Sequence, residues 1–164
     1  YLLLKPPIIR RGIMKNRKRG FSLVELLIVL AVIAALIATI TPVALNAIQK
    51  AKATKVGQNL KTLASAFENY VYVGGSAPAS LDEIGRDIDS KMYTVYYAYS
   101  QTSGDYTVTV LTSEPANEKI LKGLVSNANK VGGTVPVSGF TQLTPTTAFT
   151  GTPTYYYTFN FTNY

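Results

Sequence analysis

From Phe21 to Leu45 the chain runs for 25 residues with one charged side chain, Glu25. At about 1.5 Å of rise per residue this makes roughly 37 Å of helix, enough to cross a hydrocarbon layer of about 30 Å. Immediately before it lie Lys15, Arg17, Lys18 and Arg19. A cluster of that sign stays on the cytoplasmic side, so the chain after Leu45 faces outward. Glu25 is the exception to the pattern. A carboxylate one turn inside an apolar segment is costly, so it either snorkels toward headgroups or marks a functional site with a partner.

The chain's formal charge of +7 first suggests a partner among nucleic acids or membrane surfaces. Location changes that. Seven of the 16 basic residues (Lys5, Arg10, Arg11, Lys15, Arg17, Lys18 and Arg19) precede Gly20, with no acid among them. From Phe21 onward nine basic side chains face nine acidic ones, so the basicity belongs to the leading segment.

Arg19-Gly20-Phe21-Ser22-Leu23-Val24-Glu25-Leu26, followed by Leu27-Ile28-Val29-Leu30-Ala31, resembles the prepilin signal of type IV pilins and the related pseudopilins. The resemblance covers about residues 15–45 and is specific, because fixed residues and a hydropathy pattern must coincide. It implies cleavage between Gly20 and Phe21 by a prepilin peptidase, N-methylation of the new terminus at Phe21, and an assembly role for Glu25. It also implies a bend at Pro42, which falls where many members of that family carry a helix-bending proline. Its further implications are a homopolymeric filament and, as partners, a membrane assembly platform and an ATPase. The chain would be held in the bacterial inner membrane before assembly into a surface or periplasmic filament. No cofactor and no metal follow from it.

Elementary electrostatics agrees with that reading. A terminal ammonium at Phe21 of one subunit can meet Glu25 of the next. Two unit charges about 4 Å apart attract by about 4 kcal/mol at an intermediate dielectric, and desolvation offsets much of this. The pair therefore supplies register more than stability. An ordinary secretory signal shares the basic flank and the apolar run, but it requires a shorter core and a small-x-small site beyond it; Ala31 to Ala38 offers no clean Ala-x-Ala, and the apolar run continues past it.

Residues 1–20 read as a leader. Within it, residues 1–13 read as translated upstream sequence and Met14 as the start, because Arg10-Arg11-Gly12 is encodable by a purine-rich ribosome-binding run. Residues 21–45 then form a membrane or filament-core helix, residues 46–73 an amphipathic continuation, and residues 74–164 a globular head. Ala53, Val56, Leu60, Leu63, Phe67 and then Tyr70 or Val71 recur at three- and four-residue steps, with lysines mostly between them. The helix is expected from Phe21 to Val73, interrupted at Pro42, where Thr39 and Thr41 can satisfy freed carbonyls. Those lysines read as a solvated face; nothing in the sequence supports the rival reading as a nucleic-acid surface.

Gly74-Gly75-Ser-Ala-Pro78 stops the helix, and Ser80-Leu-Asp-Glu83 matches a capping box opening a short helix through about Arg86. Strands are expected over 92–99, 106–112 and 155–162, the first two joined by a turn at Ser103-Gly104-Asp105. In the last, Tyr155, Tyr157, Phe159 and Phe161 share the face that should cover the helix. Residues 116–126 read as a short helix and 131–153 as Gly/Thr/Pro-rich chain with one or two short strands. The expected class is α+β: a long N-terminal helix packed on a small antiparallel sheet.

The sequence contains no histidine and no cysteine. That removes imidazole acid–base chemistry, thiol nucleophiles and the usual zinc sites, so an enzyme is not expected. It also removes the disulfide that closes the carboxy-terminal loop in many proteins of the resembled family, so strand pairing must hold that segment here. Asp82, Glu83, Asp87 and Asp89 lack cation-loop spacing and read as solvated surface. Asn160-Phe161-Thr162 has the glycosylation form without other support. The expected function is a filament subunit. A pseudopilin of a type II secretion or DNA-uptake machine is the alternative, and a membrane-anchored monomeric binding domain is the rival of a different class.

Overall fold

The computed structural model describes Gly20, residues 22–145 and residues 147–164. The leader residues 1–19, including Met14 and the basic cluster, lie outside the described residues, as does Phe21. Helix α1 (Leu23–Gly74) is 52 residues long and contains Pro42. The described chain divides into two compact units, one ending at Thr41 and one running from Pro42 to Tyr164.

In the first unit α1 is apolar on every side and none of its residues is buried. Its only hydroxyls past the cap are turned inward on the helix itself. Thr39 Oγ1 donates to the carbonyls of Leu36 (2.9 Å) and Ala35 (3.3 Å), and Thr41 Oγ1 to that of Ile37 (2.8 Å). This corrects one expectation. The carbonyl that Pro42 leaves without its usual amide donor is that of Ala38, and neither threonine bonds it. The hydroxyls instead hide their own polarity inside an apolar surface.

The second unit is built on the other half of α1. Ala53, Val56, Gly57, Leu60, Leu63, Ala64, Phe67 and Val71 are buried. The choice between Tyr70 and Val71 falls to Val71, which is fully buried while Tyr70 is exposed. Gly75, at φ +75°, ends the helix by donating its amide to the Val71 carbonyl at 2.8 Å.

Against this stripe lies a five-stranded antiparallel sheet, in the order β3-β5-β2-β1-β4. Strands β1 (Tyr93–Ser100), β2 (Asp105–Thr112) and β5 (Tyr155–Thr162) pair in full register, and β3 (Ala128–Lys130) and β4 (Thr141–Gln142) cap the edges. The β1–β2 turn needs Gly104. Its φ is +74°, and a Cβ there would stand 2.8 Å from the Asn163 carbonyl oxygen.

Alternation in the strands decides the packing. Val108, Val110, Tyr155 and Phe161 face the helix, with Tyr157 and Phe159 partly buried against the same core. Phe67 is the centre of an aromatic group, with ring centroids 5.5 Å from Tyr97 and 6.2 Å from both Tyr106 and Phe161. The carboxy-terminal strand is held between β2 and β3 rather than by a covalent bridge. On the other face Thr94, Thr109 and Leu111 are also buried, and Gln142 donates to Thr94 at 3.0 Å.

Two local expectations change. Leu81–Glu83 is a single 3₁₀ turn, short of Arg86, and the Ser80 hydroxyl makes no cap bond. Glu83 reaches back to the Ala79 amide instead, at 3.0 Å. The cause is tertiary: Ala79 and Leu81 exchange backbone hydrogen bonds with Thr144, which fixes the chain around Ser80 as a bridge rather than a helix start. The second helix, α2 (Glu118–Leu124), is shorter than 116–126 because the Asn117 side chain caps it, accepting from the Ile120 amide at 3.2 Å.

Candidate assembly site at the head of the apolar helix

Ser22 stands in front of the first residue of α1, three positions before Glu25. The Ser22 hydroxyl accepts from the Glu25 amide at 3.2 Å, and a Glu25 carboxylate oxygen accepts from the Ser22 amide at 3.2 Å. This is a complete reciprocal capping box, and it satisfies two amide donors that a helix start otherwise leaves open. The carboxylate also sits where the helix macrodipole is positive.

The box explains why the helix begins at Leu23. It also assigns Ser22 a part that sequence reading missed. The signal was present as Ser-x-x-Glu, the same pattern noticed at Ser80, where only its glutamate half forms a bond.

Chemically the site can hold a cation without rebuilding. Glu25 is exposed, its carboxylate has a second oxygen beyond the one bonded to Ser22, and it is fixed one turn from the helix start. Gly20 is exposed, and nothing lies within 4 Å of where its Cβ would be. Phe21, named as the methylated terminus, is outside the described residues. The large apolar side chains from Leu23 to Ile48 are 46–73% exposed.

The remaining acids do not make a rival site. Among the described residues no three acidic side chains converge as a cation site would require. Among the described residues Glu114 is a partly buried carboxylate that accepts from Tyr93 Oη at 2.5 Å and lies 3.5 Å from Lys55 Nζ. Burial and this carboxylate push the Tyr93 hydroxyl well above its ordinary ionisation range. Glu114 thereby ties α1 to the β1–β2 hairpin.

Comparison with known proteins finds one match, on the same stretch of chain. Residues 15–41 match the model of the prokaryotic N-terminal methylation motif. No curated protein and no solved structure matches the chain. The motif and the one apolar helix fit a single-pass inner-membrane anchor. With that motif over residues 15–41 and a long helix packed on an antiparallel sheet, the chain carries the signal and the α+β architecture of the type IV pilin and pseudopilin class.

Proposed function

We propose that this chain is a structural subunit of a type IV pilus-like filament. Residues 1–20 are its leader, removed by a prepilin peptidase between Gly20 and Phe21, and Phe21 becomes the methylated terminus. The helix over 21–45 passes from lipid into the filament core, bending at Pro42, and the head over 74–164 covers the outside. An assembly platform and an ATPase supply the work of extraction, since lipid and a bundle of such helices are similarly apolar.

What carries this reading is the methylation motif on a helix that is bare on all sides from Leu23 to Ile48. Such a helix is covered by lipid or by other copies of itself. Glu25 supplies the register. In the isolated subunit its carboxylate is shared with its own Ser22 amide, and the Phe21 ammonium of a neighbour adds a full charge to that bond.

The deciding experiment is mass spectrometry of the mature protein's first peptide, paired with Glu25→Ala. The expected results are a terminus at methylated Phe21, and loss of filaments while the monomer stays in the membrane. An uncut leader, or filaments undiminished by Glu25→Ala, would sink the proposal and leave a tethered binding domain. The pseudopilin reading predicts the same cleavage but a short periplasmic fibre instead of isolable surface filaments.

A further inference from the structure

We propose that the near end of the head is a cationic collar for the phosphate headgroups of an anionic membrane surface. The collar is formed wholly by residues within 42–164. There Val43, Leu45 and Ile48 are exposed apolar residues of α1, and Lys50, Lys52 and Lys55 follow within two turns. If Leu45 marks the edge of the hydrocarbon, Lys50 lies about 7.5 Å beyond it and Lys52 about 10 Å. The headgroup layer is about 5–8 Å deep, and lysine side chains reach back toward it from their stems.

The fold adds a further cation nearby. The Asn117 side chain donates to the Gln49 side chain at 3.3 Å, which brings the start of α2 beside these lysines. Lys119, in the first turn of α2, comes with it. The two acids of this segment are already engaged, Glu114 with Lys55, and Glu118 with Lys122 at 2.8 Å and Lys130 at 3.9 Å. Lys50, Lys52 and Lys119 make no ion pair among the described residues. Gln49, Lys52, Pro115, Ala116 and Asn117 line a hollow of about 250 Å³, open to solvent and roomy enough for a phosphate group.

Charge complementarity and direct continuity with the apolar helix point to lipid as the occupant. The inference needs only that the helix spans a membrane. It therefore stands apart from cleavage and polymerisation, and either can fail without the other.

The test uses the full chain, which has no native cysteine. A fluorophore goes on Gly123→Cys, where nothing lies within 4 Å of the new Cβ. The labelled protein is reconstituted in vesicles of phosphatidylcholine, alone or mixed with phosphatidylglycerol at roughly 2:1, with a headgroup nitroxide lipid as quencher. Quenching is expected to rise about twofold in the anionic vesicles and to fall back in raised salt. The gain should vanish in the combined Lys50→Gln, Lys52→Gln, Lys119→Gln variant, whose three changes are all on exposed side chains.

Equal quenching in both vesicles, or a gain that survives the triple variant, overturns the proposal. So does its displacement by inorganic phosphate at constant ionic strength, which would assign the hollow to the free ion. A triple variant quenched like the parent but unable to polymerise would give the lysines to a neighbouring copy and equally overturn it.

Discussion

The two halves of α1 are similarly regular and differ in where their partners come from. From Leu23 to Ile48 every large apolar side chain is exposed. From Ala53 to Val71 eight residues on one stripe are buried under the head, while Lys55 and Lys61 remain exposed. The first half is apolar all round, and among the described residues none covers it. The second half is apolar on one face, which sets the width of the partner it needs. In the proposed filament one half is covered by lipid or by copies of the molecule, the other by residues far along the same chain.

That contrast is open to attack at its largest expected effect. Phe67→Ala empties the centre of the aromatic group and should cost the head about 3–5 kcal/mol, lowering its melting temperature by roughly 10 °C or more. Ile33→Ala removes a similarly apolar side chain from the bare half and should leave the head's melting unchanged. Thermal unfolding of both in detergent, followed by the near-ultraviolet signal of the tyrosines, makes the comparison. An Ile33→Ala shift as large as that of Phe67→Ala would show that the bare half belongs to the head's core after all.

A second test sharpens what fastens the covered half. Tyr93 is fully buried and donates to Glu114, which Lys55 of α1 also approaches. Tyr93→Phe leaves that carboxylate short of a donor and should cost about 1.5–3 kcal/mol. The pH dependence has a definite sign. The folded Tyr93 hydroxyl keeps its proton above the ordinary value of 10.0 because of burial and Glu114, so the unfolded chain releases it first. The contribution is complete below about pH 10 and is lost as pH rises beyond it, by up to about 1.4 kcal/mol per pH unit. Urea unfolding between about pH 8 and 11 should show a steeper alkaline decline in the parent than in Tyr93→Phe. Equal slopes would remove Tyr93 from this role.

The same division explains how much was legible in the sequence. Three strands could be read to within a residue, and 155–162 without error, because all are rich in Tyr, Val, Thr or Phe and, in the last, alternate aromatic residues record the face turned to the helix. The stripe from Ala53 to Phe67 was legible for the corresponding helical reason. What could not be read was pairing without periodicity. Strand β3 has three residues and β4 two, and each exists through partners far away, at Tyr155–Tyr157 and Tyr96–Tyr97. The two Ser-x-x-Glu patterns make the point most directly. Ser80 has the pattern but is held by Thr144, whereas Ser22 has no tertiary hydrogen-bond partner among the described residues and forms the whole box. At the candidate site, Gly20, Phe21 and Glu25 were named from a motif, and Ser22 was passed over because the motif does not set it apart.

The smallest expected effect separates the two duties that Glu25 has in the proposed filament. Ser22→Ala removes the hydroxyl that accepts from the Glu25 amide and should cost the first turn about 1 kcal/mol. Amide exchange at Val24, Glu25 and Leu26 in reconstituted membranes should then quicken by about fivefold, with filaments still formed. Glu25→Gln does the reverse. Glutamine completes a capping box as glutamate does, so exchange should stay near that of the parent, while the charge offered to a neighbour's terminus is gone and filaments should fail. If Ser22→Ala blocks assembly and Glu25→Gln permits it, the carboxylate matters to its own helix and not to the next copy. The bare half of α1 would then be matched to lipid alone.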